Sequence, residues 1–331
     1  MDRLTELSGG ISPFLTSPTI GFAVPGTIGT DVMPFHAIEG DRGTVLDRSQ
    51  DIEPRKIHDT KMGIRSEPRD VSWGAATKDV LLVLRGLKSA YGTQEAERGA
   101  TIGLDVASEA VNAAQTGVLV EREKTIADKV QDATNYAATH SVTVLGGSGW
   151  NEMTGTTSNI DPITHAIYGL MPGYSAIRAK IGTGPNQIVF GWEAWQAFIN
   201  NTYVIARLGQ NMLVREVDVA TGLAILQKTM PSIKQLLIGE STYHNGTTFV
   251  DCWGDFCRLA YVDPNPQPRR PTPTWGYTLG RRYAVQDGVP LLGVAGSWKQ
   301  NDFVSYGWYT EQRLEWVAWE DAGYLISDIV Q

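Results

Sequence analysis

The stretch DVASEAVNAAQTGVLVEREKTIADKVQDATNYAA, residues 105–138, decides the fold. Asp105 is a good N-cap, because a short carboxylate can accept from the free N–H groups of a first helical turn. Behind it Val111, Val118, Leu119, Ile126, Val130, Ala133 and Ala137 form one apolar line, with EREK and DK on the other side. The period is that of a helix running from Asp105 to about Ala138. At 1.5 Å per residue it would be a rod of roughly 50 Å. That is several times longer than the usual globular helix, so it is expected to act as a spine.

Upstream, residues 77–91 (TKDVLLVLRGLKSAY) place Val80, Leu81, Leu84, Leu87 and Tyr91 on one helical face, which predicts another helix before a break at GATIG. Residues 41–70 are of a different kind. Seven acidic side chains face seven basic ones there, so the segment is heavily charged yet neutral. Apolar residues are too sparse to bury it in the chain's own core. Thirty residues is long for a structureless connection, and a solvated loop competes with a long hairpin reaching a neighbouring subunit. Residues 1–38 hold Gly9, Gly10, Pro13, Pro18, Pro25, Gly26, Gly29 and Pro34 and keep no period. They read as an extended arm ordered against something else.

Downstream, SVTVL is a short strand, GGSGWNEMTGTTSN a polar loop, and Asp161-Pro162 opens a helix through Leu170, with proline at its first position. NQIVF is a buried strand and WEAWQAFINN a helix. ATGLAILQ is helical, and SIKQLLIGE and DFCRLAYVD are strands. QRLEWVAWE alternates, AG turns and YLISDIV returns, which predicts a terminal hairpin. A boundary near residue 145 separates a helical half from an α/β half.

The 331 residues carry a formal charge of −8, which argues against a dedicated nucleic-acid binder. No stretch has the eighteen or so apolar residues a membrane helix needs, and the first residues do not read as a secretory signal. Two cysteines, Cys252 and Cys257, then suggest a reducing compartment and free thiols. They lie in the stretch 251–278, which also holds Pro264, Pro266, Pro268, Pro271 and Pro273. A strand through both cysteines would point them to opposite faces, and no second pair completes a zinc site. The histidines, His36, His58, His140, His165 and His244, are scattered. GGSGW (146–150) departs from a nucleophile elbow at Trp150, and GTGPNQ (182–187) lacks the last glycine of a dinucleotide loop. Glu311, Glu315 and Glu320, near Trp308, Trp316 and Trp319, are the carboxylates a glycosidase would use. Tryptophans along strands are more often core or interface. NNT (200–202) and NGT (245–247) are formal glycosylation sequons that mean nothing without secretion. No catalytic, cofactor-binding or metal residue is assigned, and the chain is read as a non-enzyme.

The order of parts carries a resemblance. A charged arm and hairpin precede the spine with LVEREKTIADKV. After it come a DPI segment, the NQIVF strand, W-x-x-F, IGESTY, WGD with an LAYV strand, PTWGYT and AGYLISDIV. In this order, over roughly residues 40–331, the chain resembles the major capsid proteins of tailed bacteriophages, with the Hong Kong 97 fold. The resemblance implies an α+β fold with an amino-terminal arm (1–40) and an extended loop (41–75). A peripheral domain (76–145 plus 301–331) and an axial domain (146–300) would follow. It implies a protein that self-assembles through pentamers and hexamers into an icosahedral shell around double-stranded DNA, with DNA held by non-specific contact only and no membrane. It would be made in the host cytoplasm and end in the virion, with a separate scaffolding protein, a portal protein and a decoration protein as partners. Relatives that crosslink use a lysine in the extended loop; no motif singles out Lys56 or Lys61, and the chemistry is not assigned. An encapsulin-like compartment shell is the alternative within the fold, and a carbohydrate-active enzyme the alternative outside it.

Overall fold

The computed structural model describes residues 24, 26–47, 76–208, 217–265, 273–283, 285–286, 289–290 and 293–331. In chain order it begins with α1 (Gly29–Val32), β1 (Phe35–Ile38), β2 (Arg42–Asp47), β3 (Ala76–Leu81), β4 (Val83–Gly92), α2 (Thr93–Thr101) and α3 (Val106–Gln131). It continues through β5 (Ser141–Thr143), β6 (Met153–Thr154), β7 (Thr157–Ser158), α4 (Leu170–Ile181), β8 (Gln187–Gly191), α5 (Trp192–Asn200), α6 (Thr202–Ala206), α7 (Val219–Thr229) and β9 (Gln235–Gly239). The last elements are β10 (Thr242–His244), β11 (Phe249–Asp251), β12 (Phe256–Ala260), β13 (Gly276–Arg281), β14 (Val285–Gln286), β15 (Val289–Pro290), β16 (Gly293–Lys299), β17 (Val304–Val317) and β18 (Gly323–Ser327).

The spine is α3, 26 residues long, or about 39 Å. Asp105 caps it by accepting from Ala107 N at 3.1 Å and Ser108 N at 3.3 Å. It stops at Gln131, short of the expected Ala138, because side chains satisfy its last carbonyls. Asn135 Nδ2 donates to Lys129 O and the Tyr136 hydroxyl to Val130 O. Asp132 meanwhile turns extended and caps the short turn Ala133–Asn135.

Two five-stranded sheets pack on this rod. In the first, β17 pairs antiparallel with β4 along one edge and with β16 and then β13 along the other, and β1 adds parallel to β13. In the second the order is β5–β18–β12–β8–β9, with α4 against β18 and β12 and α5 against β8, β12 and β9. The first half of α3 lies on the first sheet through Val111, Ala114 and Val118 against Ala295 and Tyr309. Its second half enters the large core of the second sheet through Ile126, Ala127 and Val130. The opposite face of the first sheet is covered by the antiparallel pair β2–β3, whose Val45 and Val80 meet Tyr277 and Leu279.

Three expectations are corrected. Residues 77–91 are strand, not helix: β3 pairs with β2, the chain crosses at buried Leu82, and β4 pairs with ten residues of β17. The apolar spacing fits either period, and the long edge of β17 decides in favour of the ladder. The helix expected from Pro162 to Leu170 is a series of turns, and the helix starts at Leu170. His165 Nδ1 accepts from the backbone N–H of Tyr168 at 3.1 Å, a local bond that competes with helical pairing. The terminal hairpin does not form, since β17 and β18 belong to different sheets. Between them Ala318 N donates to Trp275 O at 2.8 Å, and buried Ala322 leads the chain across rather than back.

Of the charged segment, Arg42–Asp47 pairs antiparallel with Ala76–Leu81, while 48–75, with Lys56, Lys61 and His58, lies outside the described residues, as do 1–23 and 266–272. Sheet membership crosses residues 145 and 300: β13 and β16 join β4 and β17, whereas β5 and β18 join β8, β9 and β12.

Candidate functional site

Two of the three carboxylates singled out for sugar chemistry, Glu311 and Glu315, help fasten the spine to the first sheet. On β17, residues 309, 311, 313 and 315 alternate toward α3. Arg313 is buried and donates from Nε to Glu315 Oε1 at 2.6 Å, with further ion pairs to Glu311 and to Glu121 of the spine. Glu121 also pairs with Arg85 of β4, and Arg122 reaches Glu311 at 3.5 Å. Burial acts against the Arg313 charge, and its carboxylates outweigh that and raise its pKa. Glu320 sits apart, exposed in the turn Glu320–Ala322. Glu311 and Glu315 therefore stand opposite a guanidinium inside the protein, not across an open cleft.

A second junction is built on Glu123, one residue pair further along α3. Its buried carboxylate accepts from Ile28 N at 2.9 Å, Gly29 N at 2.8 Å and Trp253 Nε1 at 2.7 Å, with the Ser241 hydroxyl at 3.3 Å. The tryptophan of WGD is thus bound to the spine, and the start of α1 is held by the same group. Gln187 Nε2 takes the other end of α1 through Asp31 O at 2.8 Å. Gln187 Oε1 accepts from Arg258 Nη2 at 2.5 Å, and the Arg258 guanidinium lies 4.5 Å from the Trp275 ring centroid. Trp275, of PTWGYT, stacks in turn on Tyr136 at 5.3 Å. Burial pulls Arg258 down to about 10. Neither Glu123 nor Arg258 is legible as a hub in the sequence, since charged residues on a helix or strand read as solvated.

The remaining sequence candidates are engaged in packing and backbone contacts. Trp150 of GGSGW is fully buried, with its indole N–H on Tyr168 O at 3.0 Å. In GTGPNQ, Asn186 pairs with the backbone of Val262 through both side-chain atoms, at 2.7 and 2.8 Å, and ties a turn to β12. Asp161 of DPI is held by Arg207 through two bonds, at 2.8 and 2.5 Å. Cys257 lies on β12 and Cys252 precedes it; both are free and buried, and burial pushes both thiols up. Among the described residues no group of His, Cys, Asp and Glu is arranged to hold a metal ion. His140 is buried against Gly323 O at 3.0 Å, and His165 and His244 bind local backbone. A groove of about 750 Å³ runs between β1 and β2, lined by residues such as Phe35, Ile38, Arg42 and Arg282. A cleft of about 460 Å³ opens between Trp150, Trp192, Glu193 and Val330.

What the surface does present is apolar side chain at projecting points. Ile102 is 78% exposed between α2 and α3, Phe303 75% at the β16–β17 turn, and Phe249 74% on β11. Leu81 on β3 and Val83, Leu84 and Leu87 on β4 are half-exposed, with Leu84 on the sheet face opposite Val83 and Leu87. Lys88 stands over the rings of Tyr306 and Trp298, at 4.5 and 5.5 Å. Single exposed apolar residues are ordinary, but several along one long strand are suited to contact with other protein. No helix among the described residues is long and apolar enough to cross a membrane.

No protein-family model matches the chain. A curated relative, the major capsid protein of Burkholderia phage BcepMu, is 26% identical over 339 residues, covering 99% of each chain. Among solved structures, a phage-related protein from Bordetella bronchiseptica RB50 aligns with a TM-score of 0.72 at 21% identity, over 97% of this chain and 98% of that one. The capsid of cyanophage P-SCSP1u aligns at TM-score 0.51 and 11% identity, over 93% and 90%. The architecture, with its spine helix and two sheets, matches that of a phage capsid structure and is consistent with the Hong Kong 97 fold.

Proposed function

We infer that the chain is a bacteriophage major capsid protein, which builds the shell of the virion and is not an enzyme. One observation carries this: the likeness to a phage major capsid protein runs over 99% of both chains, so that the whole molecule is matched rather than one module. A shell protein works through repeated surfaces instead of a cleft. Consistent with that reading, two of the three candidate carboxylates, Glu311 and Glu315, are engaged with Arg313, and exposed apolar groups lie at projecting points.

In finer detail, the phage would be a tailed one and subunits would join as pentamers and hexamers in an icosahedral shell around double-stranded DNA. The second sheet would belong to the axial domain, nearest the centre of each ring. The first sheet with the early part of α3 would form the peripheral domain, and the charged hairpin the extended loop. A net charge of −8 suits a wall that contacts packaged DNA without adhering to it. Scaffolding, portal and decoration proteins would complete the particle, and synthesis would take place in the host cytoplasm.

Electron microscopy of the purified chain, after sizing in solution, tests the reading. Rings of five or six subunits or closed shells are the expected result; a strictly monomeric particle at every concentration overturns it. An encapsulin-like compartment would share the fold, and an enzyme cargo in place of DNA in native particles would favour it. A glycosidase screen completes the set, and turnover abolished by Glu315→Gln in a still-folded protein would restore the enzyme reading.

A further inference from the structure

The hairpin β10–β11 turns through His244, Asn245, Gly246, Thr247 and Thr248, all of them exposed. Asn245 N donates to Thr248 O at 3.1 Å and closes the turn. The side-chain carbonyl Oδ1 of Asn245 accepts two backbone N–H bonds, from Thr247 at 2.9 Å and Thr248 at 3.0 Å. The next peptide nitrogen, Gly246 N, donates to His244 Nδ1 at 3.1 Å. Gly246 has a φ of +99° and open space where a Cβ would lie.

These are the parts of an intramolecular acyl transfer. Two aligned N–H donors polarise a carbonyl and stabilise the oxyanion that forms on it. An imidazole nitrogen within hydrogen-bond reach of an N–H can take its proton as the nitrogen attacks. A glycine at the attacking position leaves the backbone free to rotate toward the carbonyl carbon.

We propose that Asn245–Gly246 is a self-modifying site, at which the hairpin converts its own asparagine through a succinimide into aspartate and isoaspartate. Gly246 N forms a bond to Asn245 Cγ as its proton passes to His244 Nδ1, and the oxyanion rests on the N–H groups of Thr247 and Thr248. The Cγ–Nδ2 bond then breaks, His244 returns the proton, and ammonia leaves. Water from the exposed surface opens the ring at either carbonyl, giving the two acids with no redox change. Each event replaces a neutral amide by a carboxylate beside Phe249, whose ring meets His244 edge-on at 5.1 Å. The site does not depend on the capsid reading, although in a shell it would repeat in every copy.

The test is peptide mapping by mass spectrometry of the full chain held at neutral pH, with aspartyl and isoaspartyl products separated. The same measurement is made on the chain unfolded in urea, and on His244→Gln, which keeps a hydrogen-bond acceptor but not a base. The folded chain is expected to convert on the order of 10-fold or more faster than the unfolded one, and His244→Gln to lose most of that gain. Conversion that is no faster folded than unfolded overturns the proposal, and this comparison needs no variant. A folded His244→Gln chain that converts at the original rate overturns the role of His244 as base.

Discussion

Glu123 shows how much one side chain can hold. Four donors from three separate segments converge on a carboxylate that is nearly inaccessible to water. Replacing it by alanine leaves the Ile28 and Gly29 N–H groups without an acceptor, while the Trp253 indole keeps only the Ser241 hydroxyl at 3.1 Å, and each orphaned group costs about 1–3 kcal/mol. Glu123→Ala is expected to unfold at clearly lower urea than the original chain. Glu123→Gln should fall between them, because its amide end cannot accept. Equal midpoints for all three would remove the hub from this account. Asp255 makes the opposite case. It accepts from Val330 N at 2.6 Å, but burial above all, with Glu193 and Asp328 nearby, pushes its carboxyl up to about 6. A carboxyl raised on folding costs stability where it is ionised in both states, and that cost fades as pH falls from about 6 toward about 4. Asp255→Asn is therefore expected to be the more stable chain near neutral pH, with the difference closing on acidification. Melting temperatures of both chains across that range check the sign.

At the scale of the element, the spine is fixed to the first sheet by charge as well as by packing. Arg313 faces Glu121, Glu311 and Glu315, so Arg313→Ala leaves buried Glu315 with no cation among the described residues, and Glu121 and Glu311 with only Arg85 and Arg122. Breaking a buried ion pair from one side costs about 3–5 kcal/mol, and a loss in that range is expected in denaturant titration. The loss should shrink when Glu315→Gln is added, because the stranded charge is then gone. Gly307 is the corresponding steric contact. A Cβ there would come within 2.7 Å of Val111 N and 2.9 Å of Ala110 C, both backbone atoms of α3. Gly307→Val is expected to prevent the sheet from seating, seen as loss of cooperative unfolding. Legibility varied among the elements for physical reasons. The spine, NQIVF, WEAWQAFINN, ATGLAILQ and the strands of SIKQLLIGE and DFCRLAYVD carry their period locally and could be read. Residues 77–91 could not, because their leucines and valines satisfy either period until the edge of β17 is present.

For the whole molecule, the capsid reading makes the exposed apolar side chains the working surface. Phe303→Asp changes a residue that is 75% exposed, so the folded chain should keep its stability within about 0.5 kcal/mol. Assembly in the electron microscope should fall, since a charge would be carried into a contact with another subunit. A loss of melting temperature with unchanged assembly would reverse the argument.

The spine helix and its cap, the alternation of short helices and strands after it, and the order of motifs that resembles a phage capsid protein are all legible from the residues alone. These are local or linear properties, set by spacing, capping residues and the order of segments. Only the tertiary structure decided that β17 and β18 part into different sheets, that the tryptophan-flanked glutamates bind the spine, and that Glu123 and Arg258 are interior. Each of those depends on which distant partner stands opposite, as Glu121 does for Arg313 across 192 residues. A charged side chain reads as solvated until the fold supplies the groups that make its burial tolerable.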